Sequence, residues 1–227
     1  MGKKVLVAAG LVLFALGGAV VVGPSLLFRD AFDTSHVVSI ATTSEYQDPA
    51  LLAQAWQLPV AKLYRAGLEY QRNGSWCGPA SLVNVMHSLG LPAAQATVLE
   101  GTGVSTAFGF LPGGLTLNEL AGIAANRLGT KVTALHNLDR AAFGAMLQRA
   151  NDPSVRLVVN FTRSRLFGTG GGHHSPIAGY LEDKDLAFVL DMNEAYHPWL
   201  VKADRLYEAV TTVDPSSHTT RGLLLIE

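Results

Sequence analysis

A single cysteine, Cys77, stands where a polar loop gives way to a helix. One cysteine in 227 residues rules out an internal disulfide, and no CxxC or other Cys/His zinc pattern is present. The fold must therefore rest on an ordinary apolar core. From Ser81 to Leu89 the apolar Leu82, Val83, Val85, Met86 and Leu89 recur at helical spacing. Cys77 then falls at or near the helix N-terminus, where backbone N–H groups and the helix dipole favour a thiolate. A thiolate there suits covalent catalysis. A lone free cysteine is more often inert packing. The rest of the chain has to decide between the two.

Composition supplies the core and narrows the partners. Hydrophobic residues make up 48% of the chain and charged residues 15%, which fits a globular protein carrying an added apolar segment. The formal net charge is −1, with no run of like charges, so the basic face that nucleic acid requires is missing. The seven histidines are scattered, and the only adjacent pair is His173–His174. Neighbours in sequence point in different directions, so the pair makes a poor two-ligand metal site, and no metal site is predicted.

The chain divides into three parts: a leader over residues 1–28, a polar linker over 29–47, and a catalytic domain over 48–227. Lys3-Lys4 precedes an uncharged, mostly apolar run from Val5 to Phe28, long enough to cross a bilayer. The two lysines favour a cytoplasmic N-terminus, which places the domain outside, periplasmic or membrane-anchored. Gly17-Gly18-Ala19 leaves a cleaved signal peptide open as the rival to an anchor.

Asp48-Pro49 opens a short helix through about Gln57, and a weakly helical Val60–Tyr70 follows. Pro92 to Leu99 reads as another short helix, and the glycine-rich 101–114 as a long loop. Thr116-Leu-Asn-Glu119 is a capping box before a helix ending at Gly129. Lys131–Leu135 is strand-like, and Asp139 caps a helix through about Ala150. Val155–Phe161, His173–Leu181, Ala187–Leu190 and Gly222–Ile226 read as strands, with Thr162–Gly172 a loop and Ala203–Val210 a helix. Helices first and strands clustered late predict an α+β domain, with helices packed beside an antiparallel sheet.

A cysteine nucleophile needs a base within hydrogen-bond reach and a third group to orient it. His87 lies ten residues along the cysteine helix, too far at about 1.5 Å per residue. His36 and His218 read as surface, His136 is unmarked, and His197 sits in an aromatic loop. His173 stands out because it begins a strand directly after Gly170-Gly171-Gly172. His174, on the opposite face, is expected to be structural or solvent-exposed. Asp191 ends the next strand, where antiparallel pairing would set it beside His173; a plain turn or cap role is the alternative. A Cys…His…Asp order with the base on a late sheet is that of papain-like enzymes.

Four blocks carry a family resemblance: Gln71-x5-Cys77-Gly-x-Ala-Ser-Leu, Thr169-Gly-Gly-Gly-His173-x-Ser-Pro-Ile-Ala-Gly-Tyr180, Val189-Leu-Asp191, and Val213-Asp214 with Arg221-Gly222. Over roughly 59–227 the chain resembles phytochelatin synthases, the glutathione γ-glutamylcysteinyltransferases, in a short form with the catalytic domain alone. The resemblance implies a papain-like fold, with Cys77 as nucleophile, His173 as acid and base, Asp191 as its orienting partner and Gln71 as oxyanion donor. It also implies that Asn160, Arg163, Gly172, Asp214 and Arg221 hold the γ-glutamylcysteinyl group. An arginine can fork onto its carboxylate and an aspartate can take its ammonium.

The implied substrates are glutathione and metal–glutathione complexes. No tightly bound cofactor is implied; a heavy metal such as cadmium enters as the glutathione thiolate. Monomer and homodimer both stay open. Two departures stand out: Asp191 is followed by Met-Asn-Glu-Ala-Tyr-His-Pro-Trp, with Glu194 where the family has an arginine, and no cysteine-rich C-terminal region follows. Both raise the share of hydrolysis to γ-Glu-Cys and glycine over polymer formation. A papain-like leader peptidase and a non-catalytic thiol- or metal-binding module are the rivals.

Overall fold

Packing begins before the expected domain start. The computed structural model describes residues 36–227; the leader and its apolar run lie outside the described residues. One compact unit runs from Val37 to Glu227, and part of the segment expected to be linker belongs to its core: Ile40 and Tyr46 are buried. Tyr46 stacks on Trp199, with ring centroids 6.4 Å apart, and its carbonyl accepts from the Leu200 N–H at 2.8 Å. An apolar residue every few positions was too sparse a pattern to read as a packed strap.

The helices follow their caps. Asp48 caps α1 (Pro49–Ala55), and Pro59 opens α2 (Pro59–Leu63). The cysteine helix α3 (Cys77–Ser88) begins at the cysteine itself and buries nearly every side chain. The stretch 92–99, expected as a helix, forms only turns. Thr116 and Glu119 complete the capping box of α4 (Leu117–Leu128), and Gly129 takes the left-handed conformation that ends it. Strand β1 (Val132–His136), α5 (Arg140–Arg149) behind its Asp139 cap, and β2 (Arg156–Thr162) follow.

The expected loop after β2 contains a short helix, α6 (Arg163–Phe167), before β3 (Gly172–Leu181). Next come β4 (Leu186–Leu190), β5 (Pro198–Lys202), α7 (Ala203–Val210) and β6 (Gly222–Ile226). β5 was not expected, since the stretch around His197 reads as an aromatic loop; it forms at the sheet edge, where a strand can open on proline.

The sheet is antiparallel throughout, in the order β1-β6-β2-β3-β4-β5. Its two faces are both covered. On one, Leu157, Val159, Phe161, Ile177, Val189, Trp199, Leu223 and Leu225 pack with Phe143 of α5 and Leu206 of α7. On the other, Val158, Leu224 and Ile226 meet α3 and α4, while Ala178, Phe188 and Leu200 meet Ala80 and Val60. Period-two alternation therefore assigns Asn160 and His174 to the face covered by α3, and His173 to the opposite face with Phe161.

Candidate functional site

The loop leading to Cys77 is held from several sides. Asn84 of α3 accepts from the Glu69 N–H at 3.0 Å and donates to the Glu69 carbonyl at 2.9 Å. Gln95 accepts from the Arg72 N–H at 3.2 Å and donates to the Tyr70 carbonyl at 2.8 Å. The Gln71 N–H donates to the Met192 carbonyl at 2.8 Å, tying the loop to the residue after Asp191. The Gln71 side-chain Oε1 is buried without a hydrogen-bond partner among the described residues. Trp76 precedes the helix without a side-chain cap, and no acid occupies the first turn. The N–H groups of Cys77 and Gly78 thus lack an intrahelical acceptor and present partial positive charge.

Two polar arms run from the Cys77 sulfur. The first passes through His173, whose Nε2 lies 3.0 Å from Asp191 Oδ1. Asp191 is fully buried and saturated: Oδ1 also accepts from Arg163 Nη2 at 2.6 Å and the Asn193 N–H at 2.8 Å, and Oδ2 from Trp199 Nε1 at 2.9 Å. A carboxylate only accepts, so His173 carries its proton on Nε2 and leaves Nδ1 free. The pairing expected between the two strands is present.

The second arm passes through His174 and corrects an expectation. His174 is neither exposed nor merely structural: it is 2% exposed, and its Nδ1 lies 3.9 Å from Cys77 Sγ. Its Nε2 lies 2.6 Å from Asn160 Nδ2, Asn160 Oδ1 accepts from Arg221 Nη1 at 3.0 Å, and the same Nη1 is 3.3 Å from Asp214 Oδ2. Residues 173 and 174 leave the strand on opposite faces, yet both act on one sulfur. β3 pairs with β4 only from Ile177 onward, so residues 172–176 of β3 are ladder-paired to β2 alone.

Charge balance at the sulfur favours the ion pair. Burial opposes ionisation of Cys77, but the His173 charge and hydrogen bonds from both imidazoles hold its pKa well below the ordinary thiol range. Burial likewise works against charging His173; the Cys77 thiolate and Asp191 overcome it and raise its pKa. Burial pushes Asp191 upward, and the hydrogen bond and charge of His173, with Arg163, bring it down to about 2. A thiolate beside an imidazolium can attack an acyl carbon and then protonate a leaving amine.

Cys77 and His174 line a cavity of about 130 Å³ together with Asn160, Gly172, Asp214 and Arg221. Four of the five residues expected to hold substrate therefore meet there. Arg163 does not: its Nη2 donates to Asp191 and its guanidinium is stacked 3.9 Å from the Tyr196 ring centroid, outside this cavity. It supports the carboxylate that orients His173.

Gly113, Gly114, Leu115, Pro215 and Ser216 complete the cavity wall and were missed, since a glycine-rich stretch reads as a loop without showing where the loop lies. Trp199 was also missed as an Asp191 donor, because its strand was not foreseen. Among the described residues no cluster of three or more His, Cys, Asp or Glu is arranged to hold a metal.

Gly172 explains its own identity. A Cβ there would come within 2.9 Å of Arg221 Cζ. We expect Gly172→Ala to push the Arg221 guanidinium out of register with Asn160 and Asp214. Stability should fall by about 1–3 kcal/mol, which thermal unfolding measures.

Comparison with known proteins places this geometry. The phytochelatin synthase family model matches residues 104–223, more than half of the 227. The glutathione gamma-glutamylcysteinyltransferase 1 of Triticum aestivum is 33% identical over 112 residues, 48% of this chain and 21% of that protein. The protein of the same name from Lotus japonicus is 33% identical over 118 residues, 50% of this chain and 23% of that one. The match thus spans less than a quarter of either relative's length. A structure described as a C39-like peptidase from Bacillus anthracis aligns with a TM-score of 0.52 at 12% identity, covering 73% of this chain and 96% of that one. That likeness bears on the fold alone, and it agrees with the expected papain-like α+β arrangement of a cysteine-bearing helix on an antiparallel sheet. By the family match, the chain belongs to the phytochelatin synthase family.

Proposed function

We propose that this protein is a glutathione γ-glutamylcysteinyltransferase working through a Cys77 acyl-enzyme. The observation that carries the reading is that the Cys77 thiol and the buried Arg221–Asp214 pair line one small cavity. At about 130 Å³ the cavity suits a single amino-acid head, whereas a leader peptide needs an extended groove. A γ-glutamyl head offers an α-carboxylate and an α-ammonium, which Arg221 and Asp214 complement. Arg221 Nε, buried and without a partner among the described residues, is a donor ready for the carboxylate.

In the first half-reaction the Cys77 thiolate attacks the Cys–Gly carbonyl of glutathione. The oxyanion forms near the Cys77 N–H at the helix start, with the Gln71 amide as the second donor. The C–N bond breaks, and His173 gives its proton to the departing glycine amine. In the second half, the α-amine of another glutathione, free or as a metal thiolate, or else a water, attacks the thioester. His173 takes the attacker's proton as the C–S bond breaks. Transfer yields (γ-Glu-Cys)2-Gly, and hydrolysis yields γ-Glu-Cys.

Product analysis with glutathione, with and without cadmium, tests the proposal. Glycine release together with γ-Glu-Cys or its polymer is expected. Absence of glycine release, alongside cleavage of a Gly-Gly leader peptide, would replace it with the peptidase reading. The proportion of polymer to free γ-Glu-Cys reads the acceptor directly.

A further inference from the structure

The first arm of the site supplies a base; the second supplies something chemically different. Arginine has only donors, so Arg221 fixes Asn160 with Oδ1 toward the guanidinium and Nδ2 toward His174. Asn160 Nδ2 is likewise only a donor, so the His174 Nε2 it faces must supply a lone pair. In the neutral imidazole the single proton then sits on Nδ1, the nitrogen 3.9 Å from the Cys77 sulfur. In their neutral forms the two adjacent imidazoles hold opposite tautomers toward one sulfur: His173 offers a lone pair that can take the thiol proton, whereas His174 is a donor whether or not that proton has moved.

We propose that His174 is a further catalytic residue, donating its Nδ1–H to the Cys77 thiolate in a tautomer locked by the Arg221–Asn160 relay. The proposal rests on Cys77 being the reacting nucleophile. It gives the buried Asn160 a role beyond contacting substrate, and links the substrate pocket to the state of the sulfur. A hydrogen bond that stabilises the thiolate also makes it a better leaving group. When the second acceptor attacks the thioester, its proton passes to His173. The C–S bond breaks, and the electron pair returns to a sulfur already facing the His174 N–H. His174 thus lowers the barrier to acyl transfer out of the enzyme, the step that decides how quickly Cys77 is freed.

The groups facing Cys77 that bear on its titration are few. His173 and His174 come from β3, and the Arg221 guanidinium stands at the start of β6. Asp191 and Arg163 lie behind His173, Asp214 lies behind Arg221, and the first turn of α3 adds no acid.

Because Cys77 is the only cysteine, its alkylation by iodoacetamide reads its ionisation without any substrate. The midpoint of alkylation rate against pH should rise by about one unit in His174→Phe, a roughly tenfold slower reaction on the acid limb. His174→Asn, whose amide N–H falls near the position of Nδ1, should restore the low midpoint. Nitrogen NMR of labelled wild-type protein should find the neutral His174 proton on Nδ1, a readout that needs no variant to fold. An unmoved midpoint in folded His174→Phe, or a proton on Nε2, overturns the proposal. Normal alkylation behaviour with no glutathione turnover would instead reject the substrate assignment and leave His174 in place.

Discussion

Cys77→Ala should lower glycine release from glutathione by at least about 10³-fold, since no second thiol exists to take over. Cys77→Ser should do nearly as badly. A serine hydroxyl ionises far less readily than a thiol, and His173 is poised to balance a thiolate rather than to strip an alcohol. The pH profile of the wild-type protein follows from the pair. Activity needs Cys77 ionised and His173 protonated; the first pKa is held well below the thiol range and the second is raised. Glycine release should therefore show a broad plateau, falling on the acid side as the thiolate is protonated and on the alkaline side as His173 loses its proton. Intact-mass measurement after a glutathione pulse should show a γ-Glu-Cys adduct on wild type and none on the alanine variant. Substantial glycine release by Cys77→Ala would remove the acyl-enzyme from the mechanism.

Asp191→Ala should damage stability and activity together. The carboxylate is fully buried, and its removal strands the Arg163 guanidinium, the Trp199 indole N–H and the His173 Nε2–H without their acceptor. Breaking a buried ion pair from one side costs about 3–5 kcal/mol, a large share of a domain's total stability. Urea unfolding of the variant measures it. Acid dependence gives a second signature. The pKa of Asp191 is lowered to about 2, so the folded state binds fewer protons than the unfolded state below the ordinary carboxylate range. Its stabilisation is complete above about pH 4 and is lost as pH falls through about 2. In Asp191→Ala that loss should disappear, flattening the stability curve over this window. A variant as stable as wild type, with an unchanged acid limb, would show that Asp191 does not hold this corner of the fold together.

Much of the arrangement was legible because it is local. The capping box at Thr116 and Glu119, the Asp139 cap and the left-handed Gly129 are short-range devices, and each helix began or ended where its cap stands. The turn from Glu182 to Asp185 joins two apolar runs, and pairing them as antiparallel neighbours brought Asp191 to His173. What escaped was non-local. The strand at Pro198 forms because β4 offers it an edge, and Ile40 and Tyr46 are core because Trp199 and Phe167 stand opposite them. Arg163 carries a charge suited to a carboxylate ligand, but only the folded chain shows that a carboxylate of the protein already holds it.

The single cysteine shows the same division. Its position at a helix start, the glycine run before His173 and the late Asp214 and Arg221 are properties of the chain, and with the order of these blocks they determined the nucleophile candidate, its partners and the family. That His174 as well as His173 bears on the sulfur was beyond the chain alone. Alternation separates residues 173 and 174 but does not say which face the cysteine helix covers; the packing of Val158, Leu224 and Ile226 against that helix decides it. A period of two assigns side chains to opposite faces, and only packing tells which face is which.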